Sequence, residues 1–172
     1  MVKKYLVTGG MGFIGSALVR RLVKEGHQVR VLDNASRGSP DRLKDVAKDI
    51  EMIKADIRDA NAVQSSCKGV DSICHLAFIN GTEFFYTKPE LVLDVGIKGM
   101  INIIDGGIKE GVKELFFASS SEVYQTPPAI PTDEKVPISI PDPLNPRYSY
   151  AGGKIISELM TINYGRKYFD RA

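Results

Sequence analysis

A chain of 172 residues, 43% hydrophobic and 26% charged, has the composition of an ordinary globular domain and enough length to bury one core. Its formal charge is only +2, with basic and acidic residues interspersed, so the positive stripe that a nucleic-acid backbone requires is missing and no such partner is expected. Cys67 and Cys74 have neither zinc-ligand spacing nor a disulfide framework, and no apolar run reaches signal-peptide or membrane-spanning length; the expectation is a cytoplasmic protein with reduced thiols, no metal and no membrane association.

The predicted elements alternate strand and helix from the start. A β-branched run at Tyr5 to Val7 is followed by an amphipathic stretch from Phe13 to Glu25 and a second strand at Gln28 to Leu32. Further strands are predicted near Glu51 to Lys54, at Ser72 to Leu76 and at Glu114 to Ala118. A short helix is expected after Asp59 and a long one from Glu90 to Glu110. Strands alternating with helices of this length demand parallel pairing through crossovers, so the expected class is α/β, a doubly wound parallel sheet in one domain over 1–172. Seven of the nine prolines lie between Pro127 and Pro146, which predicts an irregular surface loop. A last helix is predicted from Tyr148 to Tyr168, with no further strand after it.

Thr8 to Gly15, TGGMGFIG, satisfies both GxGxxG and GxxGxxG spacing and falls between the first strand and the first helix. Glycines there allow a sharp turn and close approach to a pyrophosphate, and the helix N-terminus behind them offers free N–H groups. Alone, such a loop is as often a turn without a ligand. Asp33 closes the second strand eighteen residues after Gly15, where a carboxylate accepts from the adenosine ribose and repels a 2′-phosphate, which favours NAD over NADP. Arg37, four residues on, is the feature that would instead suit a 2′-phosphate. Asp56 and Ile57 stand where they could cover an adenine edge or simply lie in a solvated loop.

Tyr150 and Lys154 are one helical turn apart and project from one face. An ammonium favours the phenolate and lowers the tyrosine pKa, which would let Tyr150 take a hydroxyl proton. As an isolated pair they would more often be a packing ring and a solvated ammonium. Ser119, Ser120 and Ser121 follow the fifth predicted strand at the carboxyl end of a parallel sheet, the place where such folds bind ligands.

Together these residues resemble the extended short-chain dehydrogenase/reductase family, in particular its nucleotide-sugar epimerases, dehydratases and decarboxylases. The motifs that carry the likeness are TGGMGFIG, LDN at Leu32 to Asn34, ADIRD at Ala55 to Asp59, HLAF at His75 to Phe78, FASSSEVY at Phe117 to Tyr124, and YSYAGGK at Tyr148 to Lys154. The resemblance implies a Rossmann fold and NAD held by Gly9, Gly12, Phe13, Ile14, Gly15, Asp33, Asn34, Asp56, Ile57, Leu76, Ala77, Tyr150 and Lys154. It also implies Tyr150 as base, Lys154 on the nicotinamide ribose, and Ser120 as the hydroxyl that polarises the substrate oxygen, with Ser121 the choice if the alignment slips by one. Glu122 stands where dehydratases and decarboxylases of the family carry a glutamate, and either removes a C5 proton or caps a loop.

The implied activity is oxidation of the C4 hydroxyl of a nucleotide-sugar, followed by epimerisation, dehydration or decarboxylation, in a homodimer paired through the two long helices. Such enzymes run to about twice this length, so the resemblance also implies that the chain is an N-terminal part whose C-terminal substrate domain is absent. A net ketone reductase using NAD(P)H and a non-catalytic NAD-binding protein are the alternatives. Three departures are visible. Gly96 replaces the usual asparagine of NVxGT, Phe78 replaces the last alanine of HLAA, and Gln125 replaces a glycine. His75 is expected to be a structural, hydrogen-bonded residue, and Phe84, Phe85 and Tyr86 either line the sugar pocket or pack locally.

Overall fold

The computed structural model describes residues 1–172. Its strands β1 (Lys4–Thr8), β2 (Gln28–Asp33), β3 (Ile50–Lys54), β4 (Ser72–His75) and β5 (Glu114–Phe117) form one sheet in the order β3-β2-β1-β4-β5, every pairing parallel. Helices α1 (Phe13–Lys24), α2 (Ala60–Cys67), α3 (Thr82–Thr87), α4 (Pro89–Lys109) and α5 (Ser149–Tyr168) supply the crossovers and the covering layers.

The central strands must be apolar on both sides because helices cover both faces. Successive residues of β1 show the division: Leu6 belongs to a core with Ile73, Leu115, Met100, Ile103 and Ile104, whereas Val7 belongs to one with Val31, Val19, Leu22 and Leu43. The first core is roofed by α2, α4 and Phe169, the second by α1 and a 3₁₀ turn at Pro40–Leu43. Local signals fix the helix starts. Asp59 caps α2 by accepting from the backbone of Asn61 and Ala62, both at 3.0 Å, and Pro89 opens α4, where a missing N–H costs nothing.

The expected elements are present within a residue or two, and the proline-rich segment before Pro146 is irregular. Two features differ. Residues after β4, expected as loop, include α3, since Thr82 to Thr87 packs Phe85 inward. The chain also does not simply end after α5: Asp170 N donates to Lys113 O at 2.8 Å and Leu115 N to Arg171 O at 2.9 Å. Arg171 thereby bridges Glu114 in parallel register and pairs backbone groups at the start of the β5 edge. No helix is long and apolar enough to cross a membrane.

Candidate active site

The strand order reverses between β1 and β4, and the carboxyl ends of strands at such a switch point diverge to leave a crevice. A cleft of about 560 Å³ lies there. Its lining runs from the glycine loop and Asp33, past Leu76 and Ala77, to Ala118, Ser119, Tyr150 and Lys154. Every residue assigned above to NAD lines this one cleft.

The glycine loop is shaped by what it cannot carry. A Cβ on Gly15 would stand 2.2 Å from the Gly9 carbonyl oxygen, and Gly9 itself adopts φ +70° with Ala77 backbone 2.9 Å from any added Cβ. Side chains are thus excluded at Gly9 and Gly15, and the backbone of the loop faces the cleft just ahead of α1. Asp33 is nearly buried, with Oδ2 accepting from Met11 N at 2.9 Å and Oδ1 from Ala35 N at 2.8 Å. Arg37 borders the same cleft, with its guanidinium donating to the Asn80 carbonyl and lying 5.4 Å over the Phe84 ring. A carboxylate held toward the cleft beside an engaged arginine fits an unphosphorylated ribose, so the residues present suit NAD.

Asn34 Nδ2 donates to Asp56 Oδ2 at 2.9 Å, and the Arg58 guanidinium on Asp56 holds that carboxyl down at about 2. Asp56 borders the cleft from the irregular segment after β3, held there by Asn34 and Arg58. Phe13 and Ile14 stand exposed at the mouth.

His75 is fully buried at the end of β4. Its Nδ1 and the Thr8 hydroxyl are 2.7 Å apart, and the same hydroxyl accepts from Ala77 N at 3.2 Å, locking β1 to the turn after β4. Burial pushes His75 down to about 3, with the Lys154 charge adding to it, so the ring is neutral. Its Nε2 has no partner. The structural expectation for His75 holds.

At the other end, Tyr150 is 6% exposed and sits between Phe85, stacked at 5.1 Å, and Phe78, edge-on at 5.2 Å. Of the three aromatics after HLAF, Phe85 therefore packs on the tyrosine, Phe84 underlies Arg37 and Tyr86 is exposed. Lys154 is 3% exposed and donates to the Ala118 carbonyl at 2.6 Å. Burial lowers it to about 8, although Glu158 one turn on pulls upward.

The expected lowering of the Tyr150 pKa is not what the structure gives. Burial raises it, the Ser120 hydroxyl pulls downward and the Glu122 charge adds upward. The ring is enclosed by Phe78 and Phe85, and burial among carbon disfavours the charged phenolate.

Ser120 faces Tyr150 but does not line the cleft; its Oγ accepts from Glu122 N at 3.2 Å and caps the 3₁₀ turn Ser121–Tyr124. Ser119 does line it, its hydroxyl donating to Glu158. Glu122 and Ser121 instead border a second hollow of about 270 Å³ with Arg147, whose Nη2 is 3.5 Å from Glu122 Oε2. Sequence reasoning missed Arg147, for which no spacing signal exists, and the contact of Phe78 with the tyrosine and lysine, which the HLAF departure could have flagged.

Residues 5–172 match the sequence model described as the NAD dependent epimerase/dehydratase family. The chain is 34% identical over 166 residues to a UDP-N-acetyl-alpha-D-glucosaminuronate decarboxylase of Bacillus cytotoxicus, covering 95% of itself and 50% of that protein. It is 35% identical over 169 residues to a UDP-glucose 4-epimerase of Mycolicibacterium smegmatis, covering 96% and 52%. Among solved structures, a Thermus thermophilus UDP-glucose 4-epimerase in complex with NAD superposes with a TM-score of 0.83 at 30% identity, over 96% of this chain and 51% of that one. The chain spans about half the length of the curated relatives it matches.

Proposed function

The chain belongs to the NAD-dependent epimerase/dehydratase family, within the extended short-chain dehydrogenase/reductases, and on that premise we propose that residues 1–172 are the NAD-binding domain of a nucleotide-sugar epimerase, dehydratase or decarboxylase. The observation that carries this reading is the single cleft joining the side-chain-free glycine loop and Asp33 to Tyr150 and Lys154. A diphosphate fits the loop, and Asp33 accepts from ribose hydroxyls while rejecting a 2′-phosphate. When bound, NAD supplies the hydride acceptor for oxidation at the sugar C4.

Tyr150 Oη takes the proton of the C4 hydroxyl and returns it when the keto group is reduced again. Burial raises the Tyr150 pKa, so the buried phenol is the form that returns the proton in the reductive half, and Lys154 stands beside the ring with Nζ 5.6 Å from its centroid. Lys154 spends one of its three donors on Ala118 O, leaving two for the nicotinamide ribose. Ser120, which faces Tyr150, hydrogen-bonds the substrate oxygen. Glu122, paired with Arg147 beside that point, is the candidate for moving a C5 proton in an eliminating or decarboxylating member.

The same reading includes a homodimer through α4 and α5, whose outer faces expose Ile101, Ile156, Leu159 and Ile162. A cytoplasmic setting accords with the two free thiols.

The test is a panel of UDP-, GDP-, CDP- and dTDP-sugars with the purified full-length protein, of which residues 1–172 would be the NAD-binding part, products read by NMR. Turnover of one sugar, lost in Tyr150→Phe, is expected. No turnover on any sugar, or activity untouched by Tyr150→Phe, overturns the reading, and stoichiometric NADH consumption would mark a net reductase instead.

A further inference from the structure

The Lys154 ammonium sits in a nearly closed site, and no carboxylate pairs with it. Apart from the Ala118 carbonyl, it is surrounded by aromatic rings, with Nζ 4.2 Å from the centroid of Phe78, 4.6 Å from Phe117 and 5.6 Å from Tyr150. Phe78 is the nearest, and it also meets Tyr150 at 84° and 5.2 Å. One ring therefore touches both members of the pair.

Its seat is made by the absence of side chains on the two long helices. A Cβ on Gly96 of α4 would lie 2.3 Å from Phe78 Cζ and 2.8 Å from Cε2, and one on Gly153 of α5 would lie 3.0 Å from Cζ. Any residue larger than glycine at 96 must displace the ring from its present seat beside the ammonium. The two departures at Phe78 and Gly96, distant in sequence, are thus one change in space: the ring takes the room that a side chain at 96 would fill.

We propose that Phe78 is the positioning residue of the Tyr150–Lys154 pair, its face presented to the ammonium and its rim to the tyrosine by a notch that Gly96 and Gly153 keep open. The inference rests on the reading of Tyr150 and Lys154 as the working pair. A cation over a desolvated ring is attracted by the ring's quadrupole, so Phe78 holds Lys154 in place without a counter-ion that would neutralise it. The ammonium's charge then remains available to the phenol and to a bound ribose.

The experiment follows Lys154 directly by its ¹³Cε and ¹⁵Nζ NMR shifts across pH in the purified protein, the signal assigned by its loss in Lys154→Arg. The charged and titratable groups that act on the pair are Glu158 on α5 and the neutral His75 on β4 beside Lys154, and Glu122 on the turn after β5 beside Tyr150, and all are retained in the variants. Phe78→Leu keeps apolar bulk and removes the π-face, so Lys154 should titrate lower by about half a pH unit or more. Gly96→Ala should shift the titration when Phe78 is present and leave it in place when residue 78 is Leu, because the shorter side chain no longer reaches the notch.

An unmoved or raised midpoint in Phe78→Leu overturns the proposal, as does a Gly96→Ala effect that is equal in both backgrounds. Should Gly96→Ala fail to fold, Phe78→Leu decides alone. None of these readouts needs turnover. A protein inactive on every sugar whose Lys154 follows the ring sinks the functional reading alone, and an active protein whose Lys154 ignores the ring sinks this inference alone.

Discussion

Asp33 and Met11 tie the second strand to the glycine loop: the carboxylate accepts the Met11 N–H at 2.9 Å and the Ala35 N–H at 2.8 Å, and still faces the cleft. One side chain therefore shapes the loop and offers the ribose its acceptors. Asp33→Asn keeps the size but turns one acceptor into a donor aimed at a backbone N–H, which leaves a nearly buried donor unmatched. The expected cost is about 1–3 kcal/mol of stability by chemical denaturation. NAD binding by calorimetry should weaken about tenfold or more, with NADP less affected because the charge that repels its 2′-phosphate is gone. Equal losses for the two nucleotides would remove the ribose from the account of Asp33.

His75 makes a prediction about acid. Its folded pKa of about 3 lies below the ordinary 6.5, so between those values the unfolded chain binds a proton that the native protein refuses. Stability is therefore lost as pH falls from about 6.5 toward 3, by on the order of 4 kcal/mol for this group. His75→Leu should be less stable at pH 7 by about 1 kcal/mol, having lost the Thr8 contact. It should also decline less between pH 7 and pH 4, and parallel denaturation curves for the two proteins across that range would count against a buried neutral ring.

How much of this was legible before the fold was known follows from how local each signal is. The glycine loop, Asp33 and the four-residue step from Tyr150 to Lys154 are written within single elements, and the structure brings them to one cleft. What was not legible depends on elements far apart in sequence. The rise in the Tyr150 pKa comes from enclosure by Phe78 and Phe85, rings on the segment after β4 that no helical spacing relates to α5. The link between Phe78 and Gly96 is a clash that does not happen, visible only when a Cβ is imagined at 96. The single bridge from Arg171 to the start of β5 likewise needs the path of the chain after α5.

Cys67 and Cys74 are buried, and burial pushes their thiols up to about 12 and about 11. Thiolate is the reactive form, so neither should react with iodoacetamide at pH 8 while the sheet is folded, and both should react in denaturant. Mass spectrometry of the intact protein after labelling reads this directly. Rapid labelling of either one under native conditions would mean that its strand or helix opens locally at low cost.

Lys154 carries the opposite sign from the thiols, which makes it separable from them. Its folded pKa of about 8 lies below the ordinary 10.5, so burying the charge penalises the native state fully below about pH 8. Between pH 8 and pH 10.5 the native protein releases a proton that the unfolded chain still holds, and the penalty disappears, a gain of up to about 3 kcal/mol. Over the same range the raised values of Cys67, Cys74 and Tyr150 act the other way, since the unfolded chain loses their protons first. Those contributions are present in Lys154→Met as well and cancel in the difference between the two proteins. Wild type should therefore gain on Lys154→Met steadily as pH is raised from 8 to 10.5, measured as the difference in denaturation free energy at each pH. A difference that stays constant over that interval would show that the ammonium is not buried as charge, and the enclosure of Lys154 by Phe78, Phe117 and Tyr150 would lose its energetic meaning.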